Sequence, residues 1–452
     1  MAGNCFAAPM SHKANFHETN GDSPLAGWPF LRPQWLGTLR QAKGFIGTLL
    51  LLAFAPLSAD ERPSPVTVEA WHTFGVDTLE ERLFVKAVDR FMADNPGILV
   101  QVVRIPYLQN VRQFINAAQA GEAPDLIRLS ASELGKVGHV SVEGFPLLED
   151  LRPHLTPVQK AQYLPPALSA MSYGASLYAL PASQSCMSLL YNRDLFDATG
   201  RPYPDGQWGT EDLLSAAAAL TASDVAGLAL PIKWSYWFIP FIAAAGGALF
   251  DADGDPALDS AGTANAMQWV LDLEREHRVT GATNSIEAMS TRFQTGRAAM
   301  VIDGPWNWDR YTESGVAFSQ SLLPYDDSTG KRLAPLVDTL GWSVTKQSPV
   351  KPAAVKLALW LTSRAVQVDF ALGTYGLPTL AALIDDPAIS GHPVLGGFIE
   401  QASFGTSVPT TRATAMLFEQ LDTALALTHD RTLTARDALK AADRELAKML
   451  AW

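Results

Sequence analysis

An α/β fold built on a parallel sheet is what this sequence predicts, and three observations predict it. From Val66 to Leu129, short alternating or apolar runs trade places with stretches of helical period, in the order strand, helix, strand, helix, strand. Each helical stretch ends on turn chemistry, Asn95-Pro96-Gly97 for the first and Gly121 for the second. The chain has 452 residues, 48% hydrophobic and 18% charged, which is ordinary globular composition with room for two or three domains.

Taken in order, Val66 to Ala70 alternates as a strand and ends at Trp71-His72. Thr78 and Glu81 have the spacing of a capping box, and Leu79, Leu83, Ala87, Val88, Phe91 and Met92 share one helical face. Ile98 to Ile105 is the second strand, running out at Pro106-Tyr107; Val111, Phe114, Ile115 and Ala118 mark a helix, and Asp125 to Leu129 a third strand. The segment from Leu147 to Leu180 is rich in proline and weakly periodic. Met187 to Tyr191 and Gly227 to Pro231 read as strands, Thr210 as the cap of a helix to Leu220, and Phe238 to Ala245 as an apolar helix closed by Gly246-Gly247. Asp251 to Asp255 is acidic enough to invite a calcium loop, but Pro256 and Gly262 stand where the loop needs its glycine and glutamate, so it reads as a turn. Ser260 starts a helix to His277. In Phe293 to Trp308, Gly296 is a helix C-cap, Ala298 to Ile302 a buried strand, and Asp303-Gly304-Pro305 a turn that delivers Trp306 and Trp308 past the strand's carboxyl end. Val316 to Leu323 and Leu340 to Val344 are further strands, Pro352 and Ser363 open helices, and Gly373 to Pro378 is a loop. Thr410 to Leu450 is helical with a break near Asp430 and a cap at Thr434.

Phe45 to Ala59 is a short apolar run preceded by Arg40 and Lys43 and closed by Leu57-Ser58-Ala59, the pattern of a secretory signal cut after Ala59. It is shorter than the about 20 residues of a membrane span. Residues 1–59 are therefore read as a leader, with Met1 to Gln34 given no structural role and the start placed too early. No cysteine follows the cut to carry a lipid anchor, so the exported chain is expected to be soluble outside the inner membrane. Four basic and two acidic residues fall in the leader, so the overall charge of -12 becomes -14 without it. That argues against nucleic acid or an anionic membrane surface as partner. Cys186 is the one cysteine left, so no internal disulfide can form.

The chain has no HExxH, GxSxG, P-loop or CxxC motif, and no GxGxxG follows the first strand. No metal or cofactor is expected. What recurs is an aromatic or polar side chain just after a strand: Trp71, His72, Tyr107, Trp234, Tyr236, Trp237, Trp306, Trp308, Trp342 and Tyr375. In open α/β sheets that rim is where ligands bind. Indoles and phenols there suit a ligand with apolar CH faces and polar edges, which is the character of a sugar, while Asp303 offers a polar partner. Each ring, taken alone, serves core packing as readily.

The motifs FQTGRAAMVIDGPWNW (Phe293 to Trp308), LLYNRDLF (Leu189 to Phe196), GGALFDADG (Gly246 to Gly254) and AGEAPDLI (Ala120 to Ile127), with WSVTK at Trp342 and GLP at Gly376, follow one another in an order that resembles the extracellular solute-binding proteins of family 1, the maltose-binding-like subunits of ABC importers. The resemblance spans nearly all of the chain after the leader. It implies two α/β lobes around a ligand cleft: residues 60–182 with 340–390, and residues 184–338 with 392–452, hinged near Ser183 and Thr339. It implies a monomeric periplasmic receptor, not an enzyme, that closes on a carbohydrate and presents itself to membrane permease subunits.

Ligand residues carry over unevenly. Trp306 matches a ligand-stacking tryptophan. In maltose-binding members a stacking tryptophan and an Asp-Arg pair follow the proline–aspartate motif; here Leu129, Ser132 and Glu133 stand there. Ser185 replaces a ligand-binding glutamate and Ala415 a tryptophan. A di- or oligosaccharide other than maltose is the first expectation. A polyol or glycerol-phosphate-type ligand, for which Arg412 would supply charge, is the second. A secreted carbohydrate-active enzyme, which would need a pair of reactive carboxylates, and a sensor that signals rather than transports are the readings from other classes.

Overall fold

Val66–His72, alternating in sequence, forms β1 and lies parallel to β2, Ile98–Arg104, with Val66 opposite Ile98 and His72 opposite Arg104. The computed structural model describes residues 64–451 except 253, 282 and 284. The leader and signal therefore lie outside the described residues, as does Asp253 of the acidic turn. β3, Leu126–Ser130, continues the parallel sheet on the other side of β1. Two more strands complete it in the order β2-β1-β3-β9-β4. β4 is Leu180–Ser185 and β9 is Asp338–Val344. β9 runs antiparallel to both neighbours, with Trp342 opposite Arg128 and Asp338 opposite Ser185. The purely parallel expectation is thus corrected: β4 and β9 are chain crossings, not products of the β-α-β run.

The second sheet has the order β6-β7-β5-β8. β5 is Ser188–Asn192, β6 is Ala226–Ala229, β7 is Ala298–Asp303 and β8 is Phe318–Ser321. β6 and β7 are parallel, while β5 runs against both β7 and β8. β7 is buried along its whole length, as a strand covered on both faces must be.

Helices cover both faces of each sheet. α1, Leu79–Asp94, packs Phe84, Val88 and Phe91 onto Val68 and Ala70. Thr78 caps it, but the Glu81 carboxylate turns to the amide of Asp77 at 2.8 Å instead of closing a capping box. α2, Asn110–Ala120, and α3, Ala131–Val137, place Phe114 and Leu134 on the other face, against Ile127 and Leu129. α4, Thr210–Leu220, has Gly209 rather than Thr210 as its N-cap, because the Thr210 hydroxyl is bonded to Asp327. α5, Ser235–Ala244, begins a turn earlier than its apolar run and so carries Tyr236 and Trp237.

α6 is Ala261–Arg275; α7, Ile286–Gln294, ends before Gly296, whose φ of 69° is the left-handed backbone expected past a helix end. α8, Trp308–Glu313, follows the turn after β7. α9, Lys351–Leu361, and α10, Arg364–Thr374, return to the first core. Short helices at Ala381–Ile384, Pro387–Ser390 and Pro393–Ser403 occupy a stretch with no strong period. α11, Arg412–His429, and α12, Ala435–Leu450, join the second core, the latter capped by Thr434 as expected. Each buried Phe or Leu in these layers contributes about 1.5–3 kcal/mol. No helix among the described residues is long and apolar enough to cross a membrane.

Candidate functional site

The carboxyl ends of the first sheet's parallel strands and of β7 bring side chains from both sheets around Asp338. Asp338 opens β9 and is 8% exposed. Burial pushes its carboxyl up to about 7, with the Glu133 charge adding to the rise; amides of Ala131 and Thr339 donate to it. Tyr107, in the turn just past β2, holds its hydroxyl on Ser130 with Glu133 and Asp338 nearby. Burial raises its phenol, although the residue as a whole is 47% exposed. Tyr236 comes from α5 of the second sheet and has Asp338, Tyr107 and Asp303 as its charged or phenolic neighbours; burial raises its phenol as well.

Trp306 stands beside Tyr236, ring centroids 6.1 Å apart and nearly edge to face. Its indole lies against the backbone: a Cβ on Gly304 would come within 2.1 Å of the ring. Glycine is required there for close approach. Asp303 fixes the turn. Its carboxylate accepts from the Gly304 amide at 2.8 Å, from Asn307 Nδ2 at 2.9 Å and from the Tyr311 hydroxyl. It is fully buried, and burial pushes it up to about 6 against those donors and the Trp306 indole. Asp303 therefore holds Trp306 in place and is not a free acceptor at the rim, which corrects its expected role.

Three more expected ligand residues turn out to be packing. Trp342 is 3% exposed and stacks on Phe84 at 5.1 Å. His72 is 1% exposed between Phe74 and Phe84; burial and the charges of Arg128 and Arg104 lower its pKa to about 4, so it is neutral. The reason is the period of two along a strand: both residues fall on the face covered by α1. Trp237 is buried, its indole N–H donating to the Ile302 carbonyl at 2.8 Å.

Trp308 is half-buried against Phe318, Tyr375 and Phe398, with centroids 4.6, 5.5 and 6.0 Å away. Tyr375 is half-buried at the end of α10 with φ of 59°. Trp71 is half-buried and bonded to Glu69 at 2.7 Å. Ser185 and Trp234 are half-buried at the end of β4 and the start of α5. Arg412, the first residue of α11, has a buried Nε with no hydrogen-bond partner among the described residues.

Two residues near Asp338 were not among the expected ligand residues. Glu133 is 7% exposed and pushed upward by burial; it accepts from the Ser130 amide at 2.9 Å and from Asn110 Nδ2 at 3.1 Å. Arg128 is 8% exposed, its guanidinium carbon 4.2 Å from the centre of the Phe74 ring. Contacts also bridge the two halves directly. Leu79 of α1 bonds Asp309 of α8, and Lys136 of α3 pairs with Glu419 of α11 at 3.0 Å. Among the described residues no group of three or more His, Cys, Asp or Glu side chains is placed to hold a metal ion.

Residues 77–368 match the sequence profile described as "Bacterial extracellular solute-binding protein". The maltotriose-binding protein of Pyrococcus abyssi is 25% identical over 337 residues, covering 73% of this chain and 70% of that protein. The galactooligosaccharide-binding protein of Bacillus subtilis is 22% identical over 339 residues, covering 73% of this chain and 77% of that protein. Among solved structures, the maltose/maltodextrin-binding domain from Bdellovibrio bacteriovorus bound to maltotriose superposes with a TM-score of 0.77 over 86% of this chain and all of that one, at 24% identity. An ABC transporter solute-binding protein from Thermotoga lettingae bound to tagatose gives 0.76 over 85% of this chain and all of that one, at 25% identity. These likenesses give the fold as two-lobed α/β.

Proposed function

We infer the function from one premise: the chain belongs to the bacterial extracellular solute-binding proteins. Its ligand is an oligosaccharide, delivered to an ABC importer by closure of two lobes. The observation that carries this reading is that Tyr107 from the first sheet and Tyr236 from the second both lie near the carboxyl of Asp338, with Trp306 beside Tyr236. Flat rings with polar edges on either side of a buried polar floor fit a sugar, whose CH faces stack while its hydroxyls bond. The relatives named for maltotriose and for galactooligosaccharides support the size class.

The lobes are residues 60–182 with 340–390 and residues 184–338 with 392–452. Strands β4 and β9 support this division, because each belongs to the first sheet and leads to or from the second. Ligand is held by Tyr107, Tyr236 and Trp306, with Trp71, Ser185, Trp234, Trp308, Tyr375 and Arg412 as further lining. The protein acts as a monomer in the periplasm after export, docks on permease subunits when closed, and performs no covalent chemistry.

Titration of intrinsic tryptophan fluorescence with mono-, di- and oligosaccharides tests this. A saturable change with an oligosaccharide, and the sugar recovered intact, is the expected result. Silence across the panel, or hydrolysis of the sugar, would sink the reading.

A further inference from the structure

Gly135 lies inside α3, buried, and its backbone is not in the left-handed region that calls for glycine. Glycine in a helix interior is less favourable than alanine, so its place there needs another reason. Contact supplies one. A Cβ on Gly135 would come within 2.7 Å of the Thr411 carbonyl oxygen, with Thr411 C and N at 3.5 and 3.6 Å. All three are backbone atoms, so no side-chain rotation relieves the overlap. Thr411 is the N-cap of α11 and is itself held: its amide donates to the Pro409 carbonyl at 3.0 Å, and its hydroxyl accepts from the Thr414 amide at 3.2 Å. α3 is held by the reciprocal bonds of Ser130 and Glu133 at its head.

The two helices belong to different cores. Leu134 and Val137 of α3 pack with Phe114 and Ile127. Leu417, Leu421 and Leu425 of α11 pack with the core that holds Leu190 and Val301 of the second sheet. Residues next to the contact tie the same segments together. Lys136 Nζ meets Glu419 at 3.0 Å, and the Thr410 hydroxyl donates to the Ala170 carbonyl at 2.7 Å. Each of these contacts crosses the proposed division between the lobes. From there α11 runs on to Asp422, whose carboxylate accepts from the Ser235 amide at 2.6 Å, at the head of the helix that carries Tyr236.

We propose that Gly135 is the stop on which the two lobes close, and that its missing side chain sets how tightly ligand is held. This rests on the reading of the chain as a carbohydrate receptor. With glycine there, α3 seats directly on the backbone of Thr411. Any side chain holds the lobes apart, so interactions that need both lobes on one sugar weaken, while those made by one lobe alone survive. Gly135 is thus a positioning residue: it acts on affinity through closure.

Gly135→Ala and Gly135→Leu, both better helix formers than glycine, test this on the purified protein with maltotriose and galactotriose. The thermal midpoint without sugar is expected to hold or rise. Affinity for whichever sugar the native protein binds is expected to fall about threefold in the alanine variant and about tenfold or more in the leucine variant, with the loss appearing as faster dissociation. Small-angle scattering at saturating sugar is expected to show the native protein contracting on binding and Gly135→Leu contracting less. Native affinity and contraction in both variants would overturn the inference, because the helices then give way. So would a midpoint that falls together with affinity, because the contact then belongs to the fold and not to closure. If Gly135→Leu fails to fold, Gly135→Ala decides on the same readouts. A native protein that binds neither trisaccharide sinks the receptor reading, and this inference with it. Native binding with unaltered variants sinks this inference alone.

Discussion

The backbone amide of Leu79 donates to Oδ2 of Asp309 at 3.1 Å, so the first turn of α1 is capped by a carboxylate from the other sheet's α8. An anion at a helix N-terminus contributes about 0.3–1 kcal/mol when partly exposed. On the proposed division of the lobes the contact crosses from one to the other, so it is expected to favour closure. Asp309→Ala is expected to weaken ligand binding about two- to fivefold and to enlarge the ligand-free protein in small-angle scattering. Unchanged affinity and size would show that the contact carries no closing bias.

Trp306 and Trp342 separate ligand stacking from packing. Trp306 is half-buried at the end of β7, so Trp306→Ala is expected to cost about tenfold in sugar affinity with little loss of thermal stability. Trp342 stacks within the core on Phe84, so Trp342→Ala is expected to lose about 3–5 kcal/mol of stability and to leave the affinity of the folded fraction unchanged. Calorimetric titration beside chemical denaturation distinguishes them, and exchanged phenotypes would reverse the assignment.

The turns after β2 and β7 were legible in the sequence, but β4 was not, and neither was the direction in which the side chains near the strand ends point. Asp303-Gly304-Pro305 and Pro106-Tyr107 announce turns, and Trp306 and Tyr107 lie where those turns predict. His72 ends β1 and Trp342 lies within β9, but the period of two sends both under α1. That depends on which helix covers which face, a tertiary fact. Arg128 was hidden for the opposite reason: it interrupts the apolar run Leu126–Ser130, and a lone charge in a buried strand carries no period of its own. The crossings β4 and β9 could not be read as antiparallel because their partners are more than a hundred residues away in sequence.

Glu149 ties together three segments. Its carboxylate takes Lys346 Nζ and Lys351 Nζ at 2.9 Å each and His154 Nε2 at 3.2 Å. Burial alone would raise its pKa, but the hydrogen bonds from Lys351, Lys346 and His154 outweigh it and hold the group at about 2. Its folded value is thus below the unfolded one, so its stabilisation is complete above about pH 4.5 and disappears as pH falls toward 2. Glu149→Gln leaves two lysines without their acceptor. It is expected to cost about 2–4 kcal/mol near neutral pH and to flatten the acid limb of a denaturation series. A variant with the native acid limb would assign that limb to other carboxylates.

Asp338 works in the other direction. Burial raises it to about 7 in the folded protein, against about 3.9 in an unfolded chain. Between those values the folded state keeps a proton that the unfolded state has released, so this group's contribution to stability falls as pH rises from about 4 to about 7 and is level above. His72, lowered to about 4 chiefly by burial, acts oppositely over part of the range, because there it is the unfolded chain that takes the proton. The native curve therefore mixes the two, and the difference between native protein and Asp338→Asn isolates one. That difference is expected to move in favour of the variant by up to about 1.4 kcal/mol per pH unit across the window and to stop moving above pH 7. Urea denaturation at half-unit steps from pH 4 to 8 measures it. Parallel curves for the two proteins would mean that Asp338 is ionised throughout, and that Arg128 and the amides of Ala131 and Thr339 stabilise its charge more than burial opposes it.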